Sequence, residues 1–271
     1  MKRSIVFLAG LGLATVALVM AACGGGDGDE TEPPPAGSPA STTIASPEGE
    51  PTGAAPTEAA TVEDGAEVEA LLKAAALRLE DLPQGFILDE DTFTTNEEAS
   101  QEAGGTGQPT LEDFNSWGRI LGYDATYSDP EALTTIEDGG TLSLTVTTTL
   151  YEDSDGAGDA LDYVRNQADD SEFIESFEET FASPGVEIQD AGISPLSLAE
   201  LGDDREAYEI KVTMHSTDLD EDFEFIAQLF GIRRDRLLGA VTVVTVNASP
   251  SEDQLEDLAG KLDERMNDAL E

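Results

Sequence analysis

The sequence predicts an α+β domain in which a mostly antiparallel sheet is packed with helices. Segments with the two-residue alternation of half-buried strands occur in the middle and towards the end of the chain. They are interrupted by segments in which apolar residues recur at the 3.6-residue period of amphipathic helices. Because the strands are long and hairpin turns join several of them, we expect this architecture rather than a parallel nucleotide-binding sheet.

The N-terminus has the pattern of an export signal. Two cations, Lys2 and Arg3, precede an apolar stretch from Ile5 to Met20, and the small residues Ala21 and Ala22 follow it. A charged start, a short apolar stretch and small residues before a cut are typical of signal peptides, which do not belong to the fold.

The end of this signal resembles the lipobox of bacterial lipoproteins. Met20-Ala21-Ala22-Cys23 carries the resemblance, with methionine where leucine is usual. It implies that residues 1–22 are removed as a lipoprotein signal peptide and that Cys23 is lipidated. The protein would then be lipid-anchored on the extracytoplasmic face of the cell membrane. The alternative is an uncleaved anchor, since Ser4 to Ala22 approaches the length that spans a bilayer.

Residues 23–64 are predicted to form a disordered acidic tether rich in Pro, Gly and Thr. Between Gly24 and Asp64 there is no Lys or Arg, and Ile44 and Val62 are the only branched aliphatic residues. Such a composition cannot bury enough apolar surface to offset chain entropy. A flexible coil of about 40 residues spans on the order of 35 Å. The remainder, residues 65–271, is long enough for a single globular domain.

Charge and cysteine content restrict the function further. The chain has 58 Asp and Glu against 13 Lys and Arg, which gives a formal net charge of −45. A field of this sign repels nucleic acid and anionic lipid head groups, so we expect no nucleic-acid partner. High charge also simply keeps an exported protein soluble. Cys23 is the only cysteine, so the domain is predicted to fold without disulfides.

The first half of the domain is predicted to contain two helices and an extended segment. A helix from Ala66 to Leu79 is followed by the breaker Leu82-Pro83-Gln84-Gly85 and by an extended segment from Phe86 to Thr95. A polar loop is expected from Glu97 to Gln108, after which Thr110 begins a helix with a capping box. The predicted core stripes are Val68, Leu71, Leu72, Ala75 and Leu79 in the first helix, and Phe114, Trp117, Ile120 and Leu121 in the second.

A hairpin is predicted in the middle of the chain. Its strands are Ala132 to Ile136 and Thr141 to Leu150, and Asp138-Gly139 is the turn signal. A flat threonine face binds ice or sugars only when it is repeated over several strands, so we interpret the threonine face of this strand as structural. The predicted inward residues are Leu142, Leu144, Val146 and Leu150, and the outward ones are Thr141, Ser143, Thr145, Thr147 and Thr149.

The second half is predicted to alternate helices and strands. The helices are Asp155 to Asn166, Ser171 to Phe181 and a C-terminal one with Ser249 as N-cap, Pro250 at N1 and Glu252 at N3. The last strand is apolar on both faces, so we place it centrally and expect helices to cover it. The predicted extended segments are Val186 to Gln189, Ile193 to Leu198, Glu206 to Met214, Phe223 to Ile232 and Leu237 to Val246.

The sequence offers no catalytic set, so we predict no enzyme activity, no catalytic residue and no cofactor. His215 is the only histidine, and on the predicted strand it lies on a polar face with Glu209 and Lys211. Ser194 lacks the second glycine of a G-x-S-x-G elbow, because Leu196 stands there. One histidine and one lipidated cysteine cannot supply a structural zinc site, and we predict no metal site.

Two charged motifs have competing interpretations. Asp153-x-Asp155-x-Ala157-Gly158-Asp159 resembles part of an EF-hand loop, but Val164 stands where the bidentate Glu belongs. With 58 acidic residues in the chain, such spacings arise by chance. Arg233, Arg234 and Arg236 could capture an anion at a hairpin tip, but we expect them to pair with the surrounding acids.

The order of elements resembles small exported bacterial lipoproteins. The motifs that carry the resemblance are Leu82-Pro83-Gln84-Gly85-Phe86 after a helix, and Leu150-Tyr151-Glu152 running into Gly156-Ala157 and a helix. Such globular parts are similar to the PsbP-like α+β sandwich of LpqN-type actinobacterial proteins. The resemblance implies a binding or accessory protein without a shared catalytic set, so it assigns no functional residue.

Three functional hypotheses follow. The first is a lipid-anchored extracytoplasmic binding or accessory domain of the bacterial cell envelope, with a protein as a possible partner. The second is a carrier or sensor of an apolar small molecule, held between sheet and helices among the phenylalanines Phe173, Phe177, Phe181, Phe223, Phe225 and Phe230. The third is an acidic surface module that responds to calcium.

Overall fold

In the part of the chain that the structure describes, the fold is built on a seven-stranded antiparallel sheet. The structure, a computed structural model, describes residues 65–103, 108–131, 140–168, 185–217 and 220–271. The strands are β1 (Ile87–Thr94), β2 (Arg119–Ser128), β3 (Gly140–Tyr151), β4 (Val186–Pro195), β5 (Asp204–Ser216), β6 (Glu221–Arg234) and β7 (Leu237–Val246). The helices within the described residues are α1 (Gly65–Ala75), α2 (Asn96–Ala103), α3 (Leu111–Ser116), α4 (Ser154–Ala168) and α5 (Glu252–Leu270), with a 3-10 turn at Leu79–Asp81.

Two antiparallel meanders meet in the middle of the sheet. The strand order is β1-β2-β3-β7-β6-β5-β4, so β3 pairs with β7 at the centre. This arrangement confirms the predicted α+β class and the central place of the last strand. As predicted, β7 is apolar on both faces, because Val241 and Val243 belong to one core cluster and Val244 and Val246 to the other.

The larger core lies on the face of the sheet that carries Val146 and Val241, which we call the front face. Helices α1 and α5 pack together over it. The α5 helix comes very close at Gly239, where an added Cβ would lie 2.6 Å from Sδ of Met266. Two buried hydrogen bonds hold α1 and the residues after it on the sheet, since Thr148 Oγ1 donates to the Leu72 carbonyl and the Tyr127 hydroxyl donates to the Leu77 carbonyl, both at 3.0 Å.

A second apolar cluster lies on the opposite, back face of β3 to β7. It includes Leu142, which alternation had placed on the front face with Leu144. The prediction for Leu142 was wrong because β3 contains a register shift against β7 between Thr141 and Ser143. A bulge adds one residue to a strand and so breaks the two-residue alternation. Helix α4 covers one end of this face, where Leu161 approaches Gly231.

The second predicted helix is shorter than its apolar stripe. Its start is confirmed, because Thr110 caps α3 and forms a capping box with Asp113. The helix ends at Ser116, and Gly118 (φ +65°) turns the chain into β2. Consequently Ile120 is 39 % exposed on a strand instead of buried on a helix. The predicted core stripe was therefore wrong for Ile120, whereas Leu121 packs against the front core and Trp117 against a smaller buried cluster. Phe114 is half-buried.

Four other elements differ from prediction. Helix α1 ends at Ala75, and Leu79 is 48 % exposed in the 3-10 turn. Helix α2 occupies part of the expected loop, and β4 is one strand rather than two short segments. The N-cap of α5 is Ser251 and its N3 residue is Gln254, so the assignment of the cap to Ser249 was wrong.

Several predictions lie outside the described residues. These are the signal peptide with Cys23, the tether, the strand 132–136, the Asp138-Gly139 turn and the helix from Ser171 to Phe181. The predicted helix from Asp155, by contrast, is confirmed as α4, and the predicted strands from Phe86, Glu206, Phe223 and Leu237 are confirmed as β1, β5, β6 and β7.

Candidate functional site

A cavity of about 160 Å³ lies between the front face of the sheet, the N-terminal half of α5 and the segment that follows the 3-10 turn. Apolar side chains form most of its lining, and polar groups stand at its rim. The apolar lining residues are Leu82, Pro83, Phe86, Leu144, Val243, Pro250 and Leu258, and the polar ones are Asp81, Thr141, Gln254, Asp257 and Lys261.

Local sequence explains how the walls of this cavity form. Pro83 cannot continue the 3-10 turn, and Gly85 adopts φ +111°, which brings Phe86 back into the core. On the opposite side, Ser251 and Gln254 cap α5 reciprocally: each backbone amide donates to the other's side chain, at 3.3 Å to Ser251 Oγ and at 2.9 Å to Gln254 Oε1. This cap starts the helix at Glu252, so the first turns of α5 stand over the sheet.

Ion pairs hold the rim of the cavity together. Arg265 binds both carboxylate oxygens of Asp81, at 2.5 and 3.0 Å, and Lys261 donates to the Asp81 carbonyl at 2.9 Å and to Asp257 at 2.6 Å. Burial raises the pKa of Asp81, but the hydrogen bonds from Arg265 and the Arg78 amide outweigh it, so this pKa lies below its ordinary value. Asp81 is therefore ionised at neutral pH.

The size of the cavity restricts what it can hold. Pockets for drug-sized ligands measure roughly 300–1,000 Å³, and this one is smaller. The phenylalanines expected to surround an apolar ligand do not converge on it: Phe230 belongs to the front core, whereas Phe225 and Phe223 belong to the back-face cluster. Phe173, Phe177 and Phe181 lie outside the described residues.

A polar network crosses β1, β2 and β3 on the back face. Arg119 is buried and donates to the Thr94 carbonyl, to Thr94 Oγ1 and to Asn96 Oδ1, each at 3.0 Å. Asp124 accepts hydrogen bonds from Thr147 at 2.6 Å and from Thr94 at 3.3 Å. Burial raises the pKa of Asp124 despite these bonds and despite the nearby charge of Arg119. Thr147, predicted to face outward, thus ties neighbouring strands together.

His215 lies where the strand prediction placed it, on the polar side of β5. Its Nδ1 is 2.7 Å from Oδ1 of Asp222 on β6, and its Nε2 is 3.9 Å from Asp220. On the same side, Lys211 pairs with Glu224 at 2.6 Å. The neighbours of His215 are thus carboxylates, which hold an imidazole in place without supplying a nucleophile.

The two charged motifs are used structurally. Asp153 accepts a hydrogen bond from the Gly156 amide at 2.9 Å at the start of α4, and Asp155 and Asp159 are residues of that helix rather than of a loop. Within the described part of the chain, no group of three or more His, Cys, Asp or Glu side chains is placed to hold a metal ion. As expected for the arginine cluster, Arg234 binds both oxygens of Asp263, at 2.7 and 2.8 Å, and Arg233 pairs with Asp203.

Sequence reasoning missed the cavity and the Arg119 network. The cavity unites residues far apart in the chain, and no local pattern indicates that. Helix α2, which carries Asn96 of the network, did have a local signal. Thr95 and Glu98 form a reciprocal capping box at its start, with amide hydrogen bonds of 2.9 and 3.3 Å.

Comparisons with known proteins assign no family. No family model matches the chain, and no curated protein matches it. Among solved structures, the extracellular domain of PknH from Mycobacterium tuberculosis is similar at 12% identity and a TM-score of 0.39, covering 74% of this chain and 96% of that one. Among the residues that the structure describes, none of the helices has the length and apolar character needed to cross a membrane.

Proposed function

We propose that this protein is a lipid-anchored binding or accessory domain of the bacterial cell envelope, exposed on the extracytoplasmic side and without catalytic activity. The observation that carries the proposal is Met20-Ala21-Ala22-Cys23, placed directly after an apolar stretch with two cations before it. The thiol of Cys23 would take the lipid, and the mature chain would begin there.

The composition after Cys23 supports a tethered domain. The segment up to Asp64 lacks the apolar residues of a core, and as a coil it spans on the order of 35 Å. Its acids repel one another and the anionic head groups of a membrane, which extends it further. The folded unit would therefore stand away from the bilayer, accessible to partners.

A binding role agrees with the geometry of the described side chains. His215 lies against the carboxylate of Asp222, Arg233 and Arg234 of the hairpin tip are paired with Asp203 and Asp263, and the acids of α4 lie along a helix. The cavity beside α5 offers apolar walls and a charged rim, which suits recognition of a group rather than a bond-making reaction.

Metabolic labelling with palmitate tests the anchor. We expect label in the wild-type protein and in the membrane fraction, and none in Cys23→Ser. The control Cys23→Ser/Gly26→Cys keeps one thiol but moves it three residues, and we expect it to remain unlabelled because the signal and the thiol are no longer adjacent. Unlabelled wild-type protein in the cytosol, with its N-terminal peptide intact, would refute the proposal.

A further inference from the structure

The cavity beside α5 has the size of one large apolar side chain. An apolar cavity of about 150 Å³ accommodates benzene, and this cavity measures about 160 Å³. Leu144 and Val243 line it on the side of the sheet, and Phe86 and Leu258 belong to the same lining. A leucine or phenylalanine side chain fits such a space, whereas a long acyl chain does not.

The charge around the cavity determines which residues can flank a bound apolar side chain. The two exposed turns of α5 next to it carry Glu252, Asp253, Glu256 and Asp257. The cations at the rim are already engaged, since Lys261 binds Asp257 and Arg265 binds Asp81 and Glu80. The N-terminus of α5 is occupied by its own cap and acids, so it does not attract an anionic ligand. The remaining field favours positive charge.

We propose that this cavity binds an apolar side chain of a basic peptide segment, a leucine or phenylalanine flanked by lysine or arginine, in a partner protein. The inference rests on the proposed binding function and names the site and the chemistry of the partner. The apolar group enters between Leu144, Val243 and Leu258, and the flanking cations lie against the acids of α5.

Three peptides test the proposal on the complete lipidated protein in zwitterionic nanodiscs. The probes are acetyl-Lys-Leu-Lys-amide, acetyl-Lys-Ala-Lys-amide and acetyl-Glu-Leu-Glu-amide, and the measurement is isothermal titration calorimetry. We expect the leucine peptide to bind about tenfold more tightly than the alanine peptide, because it buries a leucine side chain. We expect the acidic peptide not to bind, and 0.5 M salt to weaken the basic one.

Two variants connect the binding to the cavity. Val243→Phe fills the space from the side of the sheet, and we expect it to abolish the preference for leucine over alanine. Asp257→Asn removes a rim charge and should weaken both basic peptides, whereas Asp268→Asn, on the exposed last turn of α5, should leave them unchanged. If Val243→Phe fails to fold, the pair of aspartate variants decides the question.

The outcomes separate this inference from the anchoring. Equal binding of the leucine and alanine peptides, or an absence of binding by all three, overturns the cavity as a peptide site. An equal loss of affinity for the basic peptides in Asp257→Asn and Asp268→Asn would show that the peptide does not bind beside the first turns of α5. None of these results affects palmitate labelling at Cys23, which tests the anchor separately.

Discussion

At the scale of single residues, one ion pair joins the two ends of the domain. Asp81 follows α1 and Arg265 lies in α5, 184 positions later, and two hydrogen bonds connect them. The Asp81 side chain is 15 % exposed and that of Arg265 is 18 % exposed, so water screens the pair only partly. Losing the Asp81 charge would take two charge-assisted hydrogen bonds from the partly buried Arg265 and leave Glu80 as its ion-pair partner.

Asp81→Asn is expected to destabilise the protein by about 1–2 kcal/mol at pH 7, since it removes hydrogen bonds to a charged group. The pKa of Asp81 is lowered in the folded state. Its contribution is therefore fully present above its unfolded pKa of about 3.9 and is lost as pH falls through the lower folded value. Urea unfolding at pH 7 and pH 3 measures this: wild type should lose more stability than Asp81→Asn over that interval. Equal losses would contradict the prediction.

Asp124→Asn is expected to change the pH dependence in the opposite direction. Burial raises the pKa of Asp124, so the folded state holds its proton more tightly than the unfolded chain does. Its contribution is greatest below the unfolded pKa and is lost as pH rises through the folded value. Between pH 4 and pH 7, the free energy of unfolding measured in urea should decrease less in Asp124→Asn than in the wild type. Thr147→Val, which removes a hydrogen bond that favours the ionised form of Asp124, should make this decrease larger than in the wild type.

At the scale of elements, regular patterns were predictable and their interruptions were not. Strand β7 was predicted correctly, because a strand that is buried on both faces has a continuous apolar sequence, and this sequence is recognisable without the structure. The face of Leu142 was not, because the bulge at the start of β3 depends on pairing with β7, more than 90 positions later. Ile120 was also misplaced. Its spacing fits the helical period of the preceding residues, but the helix ends before it and Gly118 turns the chain into β2.

The start of α5 gives a test of one such boundary. Ser251→Ala is expected to lower the free energy of unfolding by about 1 kcal/mol, because it removes the hydroxyl that accepts a hydrogen bond from the Gln254 amide. Ser249→Ala, the position that the sequence pattern favoured, should change stability by less than about 0.5 kcal/mol, since its hydroxyl makes only a 3.5 Å contact with Glu209. Thermal and urea unfolding of the two variants distinguish the caps, and a larger effect at Ser249 would contradict the structure.

At the scale of the whole molecule, the excess of acids affects stability more than fold. The formal net charge is −45, and charge of one sign repels itself most in the compact state. The described acids are spread over helices and strand edges and often paired with the few cations, as Asp263 is with Arg234. The sign of this field could be predicted from the composition. The cavity that it surrounds could not, because its lining residues come together only through tertiary contacts.

Screening of this repulsion is expected to raise the melting temperature. Increasing monovalent salt from about 10 to 150 mM shortens the Debye length from about 30 to 8 Å, so the repulsion between charges across the domain is largely screened.

Calcium at 1 mM is expected to shift the melting temperature no more than magnesium at 1 mM, because general screening does not distinguish the two ions, whereas a specific oxygen-ligand site does. Differential scanning calorimetry in low salt measures both shifts. An excess for calcium of several degrees over magnesium would instead favour a specific calcium site, since a ligand that binds only the folded state stabilises it in proportion to the logarithm of its concentration over Kd.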